Sequence, residues 1–257
     1  MHGRPPTRRT AGSLTGLLVA VLATWNNLLV PRLGDRPGRY AAVNGAATAV
    51  LLAAARASGL SAAELDGARA RAGLRRGAGP SLVLAAGYAT ALAVPALRPL
   101  LRDARVAELD RRAVVRRALV GIPVGTVLWE EVAFRGVLRA ALARTLSPRQ
   151  AAVAAPALFA VWHVRPALDA VTTNSPRATP GRRAGAVLAA CAGTAAADVL
   201  FAELRRRSGS LVAPALLHLT ANVGGLLAAA AAARLDGQAG TGERAPIAVG
   251  VRSSAMP

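Results

Sequence analysis

The sequence predicts an all-α protein, a polytopic membrane helical bundle with about seven to eight transmembrane helices. The chain has 257 residues, of which 53% are hydrophobic and only 18% are charged. Soluble domains are about 45–50% apolar and about 25% charged, so both departures favour a membrane protein. The apolar residues are concentrated in long Ala, Leu and Val runs, and a bilayer crossing needs roughly 20 mostly apolar residues.

Several apolar stretches reach this length or come close to it. They lie at 12–31, 40–56, 80–98, 118–134, 150–164, 184–202 and 210–233. The run at 150–164 is short, which is typical of a tilted or half-buried helix. The segment 136–147 carries Arg139 and Arg144 among apolar residues, and this pattern indicates an amphipathic helix at the membrane interface.

The net charge of +19 comes entirely from arginine, since the chain contains no lysine. In a soluble protein so basic a chain would suggest nucleic-acid binding. Here the arginines stand between apolar runs, in clusters such as Arg111-Arg112 and Arg205-Arg206-Arg207. Clusters beside membrane helices favour anionic lipid headgroups. The predicted partner is therefore the lipid bilayer with its anionic headgroups, and not nucleic acid.

Acids and histidines are unevenly distributed along the chain. The first three apolar runs contain none, whereas the later runs contain several. We therefore predict N-terminal transmembrane helices with an amphipathic connector at 1–112 and a functional core at 113–233. The segment 234–257 is rich in Gly, Ala and polar residues without periodicity, which predicts a disordered tail.

Two adjacent glutamates, Glu130 and Glu131, follow an uncharged stretch of the fourth apolar run. A carboxylate at the centre of a membrane helix costs about 2.5–3.5 kcal/mol on insertion scales, and such a residue indicates a functional site. Arg135 lies one helical turn after Glu131, so these two can pair on one helix face. Glu130 is then rotated about 100° away. Taken alone, the Glu131–Arg135 pair is equally compatible with a structural role.

Two further motifs interrupt later apolar runs with polar residues, and we call them and the Glu130-Glu131 motif the three polar islands. One contains Phe159 and His163, and the other contains His218 and Asn222. Each pair is four residues apart and shares a helix face, so the Phe159 ring can pack beside the His163 imidazole. Alone, His163 beside Trp162 is compatible with a membrane-interface histidine, and His218 with Asn222 is compatible with bonding between helices. Because polar groups in lipid must find one another or water, the three islands together predict a shared site.

A glutamate, two histidines and an asparagine can activate water for attack on an amide carbonyl. A desolvated glutamate beside a histidine can act as a general base, and an asparagine or histidine N–H can donate to the developing oxyanion. Glu130, His163 and His218 are equally a ligand set of the kind found in catalytic zinc sites, so zinc stays open. The sequence has no Gly-x-Ser-x-Gly elbow and no His-Glu-x-x-His helix.

In their order and spacing, the three islands resemble the motifs of the CPBP family of intramembrane proteases. This family contains the type II CAAX prenyl endopeptidases and relatives associated with bacteriocin processing and immunity. The motifs read Glu130-Glu131-Val-Ala-Phe134-Arg135, Phe159-Ala-Val-Trp-His163 and His218-Leu-Thr-Ala-Asn222. The likeness covers roughly 115–230, and it implies a multi-pass integral protein of a prokaryotic cell membrane.

By this resemblance, the chain is a glutamic endopeptidase without a cofactor that hydrolyses a peptide bond of a membrane-associated protein or peptide. The catalytic residues implied are Glu130, His163, His218 and Asn222. The supporting residues implied are Glu131, Arg135 and Phe159. In this scheme Glu130 and His163 activate water, and His218 with Asn222 stabilises the oxyanion. A metal-dependent version would use zinc on Glu130, His163 and His218.

A second reading belongs to another class of protein. The same polar cluster could serve a non-catalytic membrane immunity or scaffold protein, or a small transporter with a proton relay. Transporters often show two related halves with paired broken helices, and no such symmetry is visible in this sequence.

Overall fold

The computed structural model describes residues 8–34, 38–65 and 69–242, and all regular structure within these ranges is helical. The α-helices are α1 (Arg8–Thr24), α2 (Arg39–Ala57), α3 (Ala62–Leu65), α4 (Ala70–Ala93), α5 (Ala104–Ala107), α6 (Arg111–Arg116), α7 (Arg139–Thr145), α8 (Pro148–Trp162), α9 (Val164–Asn174), α10 (Pro180–Ser208), α11 (Val212–Leu219) and α12 (Gly225–Gly242). Tighter or wider helical turns lie at Trp25–Leu29, Val30–Leu33, Pro95–Leu101, Arg117–Leu128, Glu131–Leu138 and Thr220–Gly224. The predicted all-α class is confirmed.

Within the described part of the chain, 4 helices are long and apolar enough to cross a membrane, or up to 6 if two bent pairs count as one span each. The four are Gly12–Leu33, Arg39–Ala57, Pro180–Ser208 and Val212–Gly237. These match four of the predicted runs, and a helical membrane bundle is therefore the fold. The predicted count of seven to eight spans is not confirmed by the helices of the described residues.

The helical segments between 111 and 145 follow one another without a break, and we call this element the glutamate helix (111–145). Pro123 lies inside it, and a proline removes one backbone hydrogen bond of an α-helix, in keeping with the wide π-helical turns there. Every residue at 131–138 is buried, as are Trp129 and Glu130. At this depth the helix is thus surrounded by protein, and the two glutamates face other helices.

Aromatic rings fix the glutamate helix against its neighbours. Trp129 packs between Trp25 and Trp162, with ring centroids 5.4 and 6.2 Å away. Phe134 meets Phe159 edge-on at 4.9 Å. Tilted and edge-to-face pairs of this kind contribute about 0.5–1.5 kcal/mol beyond the area that they bury. They hold α8, and with it the His163 motif, close to the two glutamates.

Helix α4 approaches α11 closely because two glycines one turn apart face it. A Cβ atom on Gly73 would lie 2.8 Å from the Cβ of Val212, and one on Gly77 would lie 2.8 Å from the carbonyl oxygen of Ala213. Small residues four apart let membrane helices pack backbone to backbone. This contact sets the depth of α11, which carries His218.

Helix α12 continues to Gly242, so the predicted boundary at 234 falls inside a helix. The remainder of the predicted disordered tail, from 243 onward, lies outside the described residues. The N-terminal helices do not stand apart from the core, because α2 packs on the Arg117–Leu128 segment and α1 packs on α7 and α8. The division into regions at 112 and 233 stays a prediction.

Candidate active site

Glu130 is the centre of the polar cluster. Its Oε1 accepts a hydrogen bond of 3.0 Å from the indole Nε1 of Trp162. Its Oε2 is buried and has no hydrogen-bond partner among the described residues. The Nε2 atoms of His163 and His218 lie 4.0 and 3.8 Å from this oxygen. A buried acceptor without a partner is costly, so this oxygen is available to a molecule from outside the chain.

His163 lies at the break between α8 and α9, which meet at 41°. Its Nδ1 is 2.8 Å from the carbonyl oxygen of Phe159, and because a carbonyl only accepts, Nδ1 carries the hydrogen. This leaves Nε2 to face Glu130. The Phe159 ring meets the imidazole edge-on at 4.4 Å, which confirms the predicted packing of these two side chains.

Two asparagines of the first span, which the sequence did not reveal as part of the site, hold this break. The Nδ2 of Asn26 donates to the carbonyl oxygen of Trp162 at 3.1 Å. Asn27 donates to the carbonyl oxygen of Val161 at 2.8 Å and accepts from the backbone N–H of Arg165 at 2.9 Å. Asn27 thus joins the end of α8 to the start of α9 on either side of His163.

For the peptide cleavage that the motif resemblance implies, replacing Asn27 with alanine should lower the rate constant about tenfold, because two hydrogen bonds of about 1 kcal/mol each position His163. The measurement is kcat and KM for a membrane-anchored peptide. Thr24→Ala is the matched control, since the Thr24 hydroxyl donates to carbonyls of its own helix. Equal rates for the two variants would show that the Asn27 contacts do not position His163.

His218 is held from two sides. Its Nδ1 lies 2.7 Å from Oε1 of Glu131, and the ring of Phe201 stacks on the imidazole with centroids 5.1 Å apart. The other ring nitrogen is therefore the one that faces Glu130. The two glutamates lie at opposite nitrogens of the same histidine.

Arg135 is fully buried beside the two glutamates. It lies 3.3 Å from Glu131, as the four-residue spacing predicted, and its guanidinium sits 4.1 and 4.8 Å from the ring centroids of Phe159 and Phe201. A cation between two aromatic faces is stabilised by the ring quadrupoles. Glu131 also bonds His218, so this carboxylate serves both its own helix and α11.

Asp198 completes the charge network. It is 0% exposed, its Oδ1 lies 3.3 Å from Nε of Arg135, and its Oδ2 pairs with Arg139. Asp198 thus pairs with arginines of the glutamate helix, although the Arg205-Arg206-Arg207 cluster lies on its own helix. Glu203 is instead the acid that pairs with that cluster, through Arg206 and Arg207.

The contacts join six of the seven predicted site residues into one set, namely Glu130, Glu131, Arg135, Phe159, His163 and His218. Asn222 is placed differently. It is half-buried, and its Nδ2 donates to the carbonyl oxygen of His218 on its own helix at 3.2 Å. Trp162 and Phe201 belong to the site as well, although their only signal in the sequence is that of an aromatic residue in an apolar run.

Zinc requires its donors to lie closer together than the side chains around Glu130 do. Zinc binds histidine nitrogen and carboxylate oxygen at about 2.0–2.2 Å, so two donors on one tetrahedral ion lie about 3.3 Å apart. The separations at Glu130 are 3.8 and 4.0 Å. Among the described residues no group of three or more His, Cys, Asp or Glu side chains is close enough to hold a metal ion. The separations in this structure are thus wider than those of donors on a bound zinc ion, and the metal-free mechanism stays a prediction.

The match to a known family covers the same part of the chain. Residues 114–224 match the family model described as type II CAAX prenyl endopeptidase Rce1-like. The matched stretch begins before Glu130 and ends after Asn222, and so contains all three motifs. No curated protein and no solved structure matches the chain. The family match confirms the resemblance that the motifs suggested.

Proposed function

We propose that this member of the CPBP family cleaves a peptide bond of a membrane-associated protein or peptide, with Glu130 as the general base. Its match to the Rce1-like family at residues 114–224 supports an intramembrane CAAX-type endopeptidase in general. One observation carries the assignment of Glu130. The unpaired Oε2 of Glu130 lies within 4.0 Å of Nε2 of both histidines.

The spacing of these three atoms suits a water molecule. Atoms 3.8 and 4.0 Å apart are too far for direct hydrogen bonds, yet each pair can share a water that lies about 2.8 Å from both. A general base acts within hydrogen-bond reach of the proton that it removes. Glu130 and His163 can each accept a hydrogen bond from one O–H of such a water, and Glu130 takes one proton as the water oxygen attacks a carbonyl carbon.

His218 acts as a hydrogen-bond donor, whereas Glu130 and His163 act as acceptors. With Nδ1–H donating to Glu131, a second proton on Nε2 would be directed toward the Glu130 side, where it can donate to the oxygen of the attacked carbonyl. Asn222 has two amide N–H groups, of which one bonds the His218 carbonyl, and the other is assigned to the same oxyanion.

The proton taken from water must then reach the leaving amine. Glu130 receives it first, and a bridging water can pass it to His163, whose Nε2 is 4.0 Å away, for delivery to the amine nitrogen. His163 is suited to this transfer because its side chain is 21% exposed, against 4% for Glu130 and 6% for His218. Substrate is therefore expected to approach from the His163 side of the cluster.

The test is cleavage of a membrane-anchored peptide by the purified full chain in detergent. His163→Ala should lower kcat about 100-fold, the lower part of the range for general acid–base catalysis, without loss of folding. Cleavage at the wild-type rate by this variant would overturn the catalytic role of His163, and no cleavage by the wild-type protein itself would favour the non-catalytic alternative. Because the proposed route uses no metal, activity should persist in a strong chelator, and loss of activity that added zinc restores would overturn the metal-free assignment.

A further inference from the structure

A cavity separate from the Glu130 site lies where α7 passes the C-terminal end of α10. Its volume is about 630 Å³. The charged residues that line it are Arg139, Arg205, Arg206 and Glu203. Small residues such as Ala63 and Gly209 form other parts of its wall, so the space between the charged side chains stays open.

Three guanidinium groups and one carboxylate leave the wall of this cavity with an excess of positive charge. Arg205 is fixed in place because its NH2 group donates to the backbone carbonyls of Glu64 and Leu65. Arg139 pairs with Asp198 through one nitrogen, while its buried Nε has no hydrogen-bond partner among the described residues. The cavity thus presents oriented N–H donors from two different helices.

The surroundings of the cavity identify the kind of anion. Helix α10 is one of the helices long enough to cross a membrane, and the cavity lies toward its C-terminal end. The ends of a membrane-spanning helix lie at the depth of the lipid headgroups. Val199 lines the cavity and is 55% exposed, and Leu200 beside it is 49% exposed. An apolar rim beside a cationic floor matches a molecule with both acyl chains and a phosphate group.

We propose that this cavity binds the phosphate of an anionic glycerophospholipid headgroup, with the acyl chains lying along the exposed apolar face of α10. The three arginines of the Arg205-Arg206-Arg207 cluster differ in whether they line this cavity. Arg205 and Arg206 line the cavity, whereas Arg207 is not among its lining residues and pairs with Glu203.

This difference provides a matched pair of variants. Arg206 and Arg207 are adjacent, each pairs with Glu203, and their side chains are 70% and 60% exposed, so Arg206→Gln and Arg207→Gln remove the same charge from the same helix without disturbing the core. Arg139 is less suitable for the test because it shares Asp198 with the candidate active site.

The experiment titrates the full chain in neutral detergent with short-chain phosphatidylglycerol and follows bound lipid by native mass spectrometry. For Arg206→Gln the half-saturating concentration should rise about fivefold, the order expected for one arginine at an anionic surface, and Arg207→Gln should stay within about twofold of wild type. Phosphatidylcholine should bind far more weakly than phosphatidylglycerol.

Equal effects of the two substitutions, or equal binding of the two lipids, would overturn the site. Inorganic phosphate is the second arm, because it carries the same anion without acyl chains. It should fail to displace the lipid at concentrations up to about tenfold above that of the lipid, since it lacks the apolar contacts along α10. Full displacement by phosphate in this range would overturn the assignment to a lipid.

Discussion

Glu130→Gln should reduce peptide cleavage by a factor of at least about 10³, within the range found for removal of a general base. Glutamine cannot take a proton from water, so the attacking nucleophile is no longer formed. Its amide oxygen can still accept the hydrogen bond that Glu130 receives from Trp162. The fold is therefore expected to survive, and the loss should appear in kcat with KM little changed.

Glu131→Gln is the matched control for this substitution, because the neighbouring carboxylate is equally buried. It should lower kcat only about tenfold, since Glu131 orients His218 and Arg135 and does not meet the water. Thermal unfolding monitored in detergent separates loss of activity from loss of structure. A Glu130→Gln protein that cleaves within about tenfold of wild type would show that another group is the base.

The contacts made within one helix could be predicted from the sequence, because spacing alone sets them. The four-residue interval fixes both the Glu131–Arg135 pair and the Phe159–His163 contact, and both are present. The motifs also predicted that Glu130 lies toward His163 and His218, and the distances agree with this.

Contacts between helices were harder to anticipate. Asp198 lies on the same helix as the Arg205-Arg206-Arg207 cluster. Nothing in the residue spacing predicts that Asp198 pairs with Arg135 and Arg139 of another helix. The same holds for Asn26 and Asn27, which bond to carbonyls of Trp162 and Val161, far along the chain. Such pairings depend on which helices become neighbours, and helical periodicity carries no information about that.

The predicted count of seven to eight spans is not confirmed, for a related reason. It rests on the length of each apolar run, but an apolar run can be buried by protein as well as by lipid. In the glutamate helix every residue at 131–138 is buried by other helices. An apolar run around an acidic pair is therefore also the pattern of a central helix that other helices enclose.

Asp198→Ala should strongly destabilise the folded protein. Asp198 is the shared carboxylate of Arg135 and Arg139, and Arg135 is 0% exposed. Removing one partner of a buried ion pair leaves an uncompensated charge and costs about 3–5 kcal/mol in the free energy of unfolding. Glu131 would remain as the only acid in contact with Arg135 among the described residues.

Glu203→Ala on the same helix is the matched control, because it also removes a carboxylate shared by two arginines. Those arginines are exposed, so solvent screens them and the pair contributes little to stability. Unfolding of the variants in mixed detergent should therefore show a large shift for Asp198→Ala and a small one for Glu203→Ala. Since Arg135 also holds Glu131 beside His218, Asp198→Ala should lose activity at temperatures where it remains folded. Equal shifts for the two variants would mean that solvent reaches Arg135 and compensates its charge. The buried contacts of Arg135 with Asp198 and Glu131 would then not be what orients the glutamates.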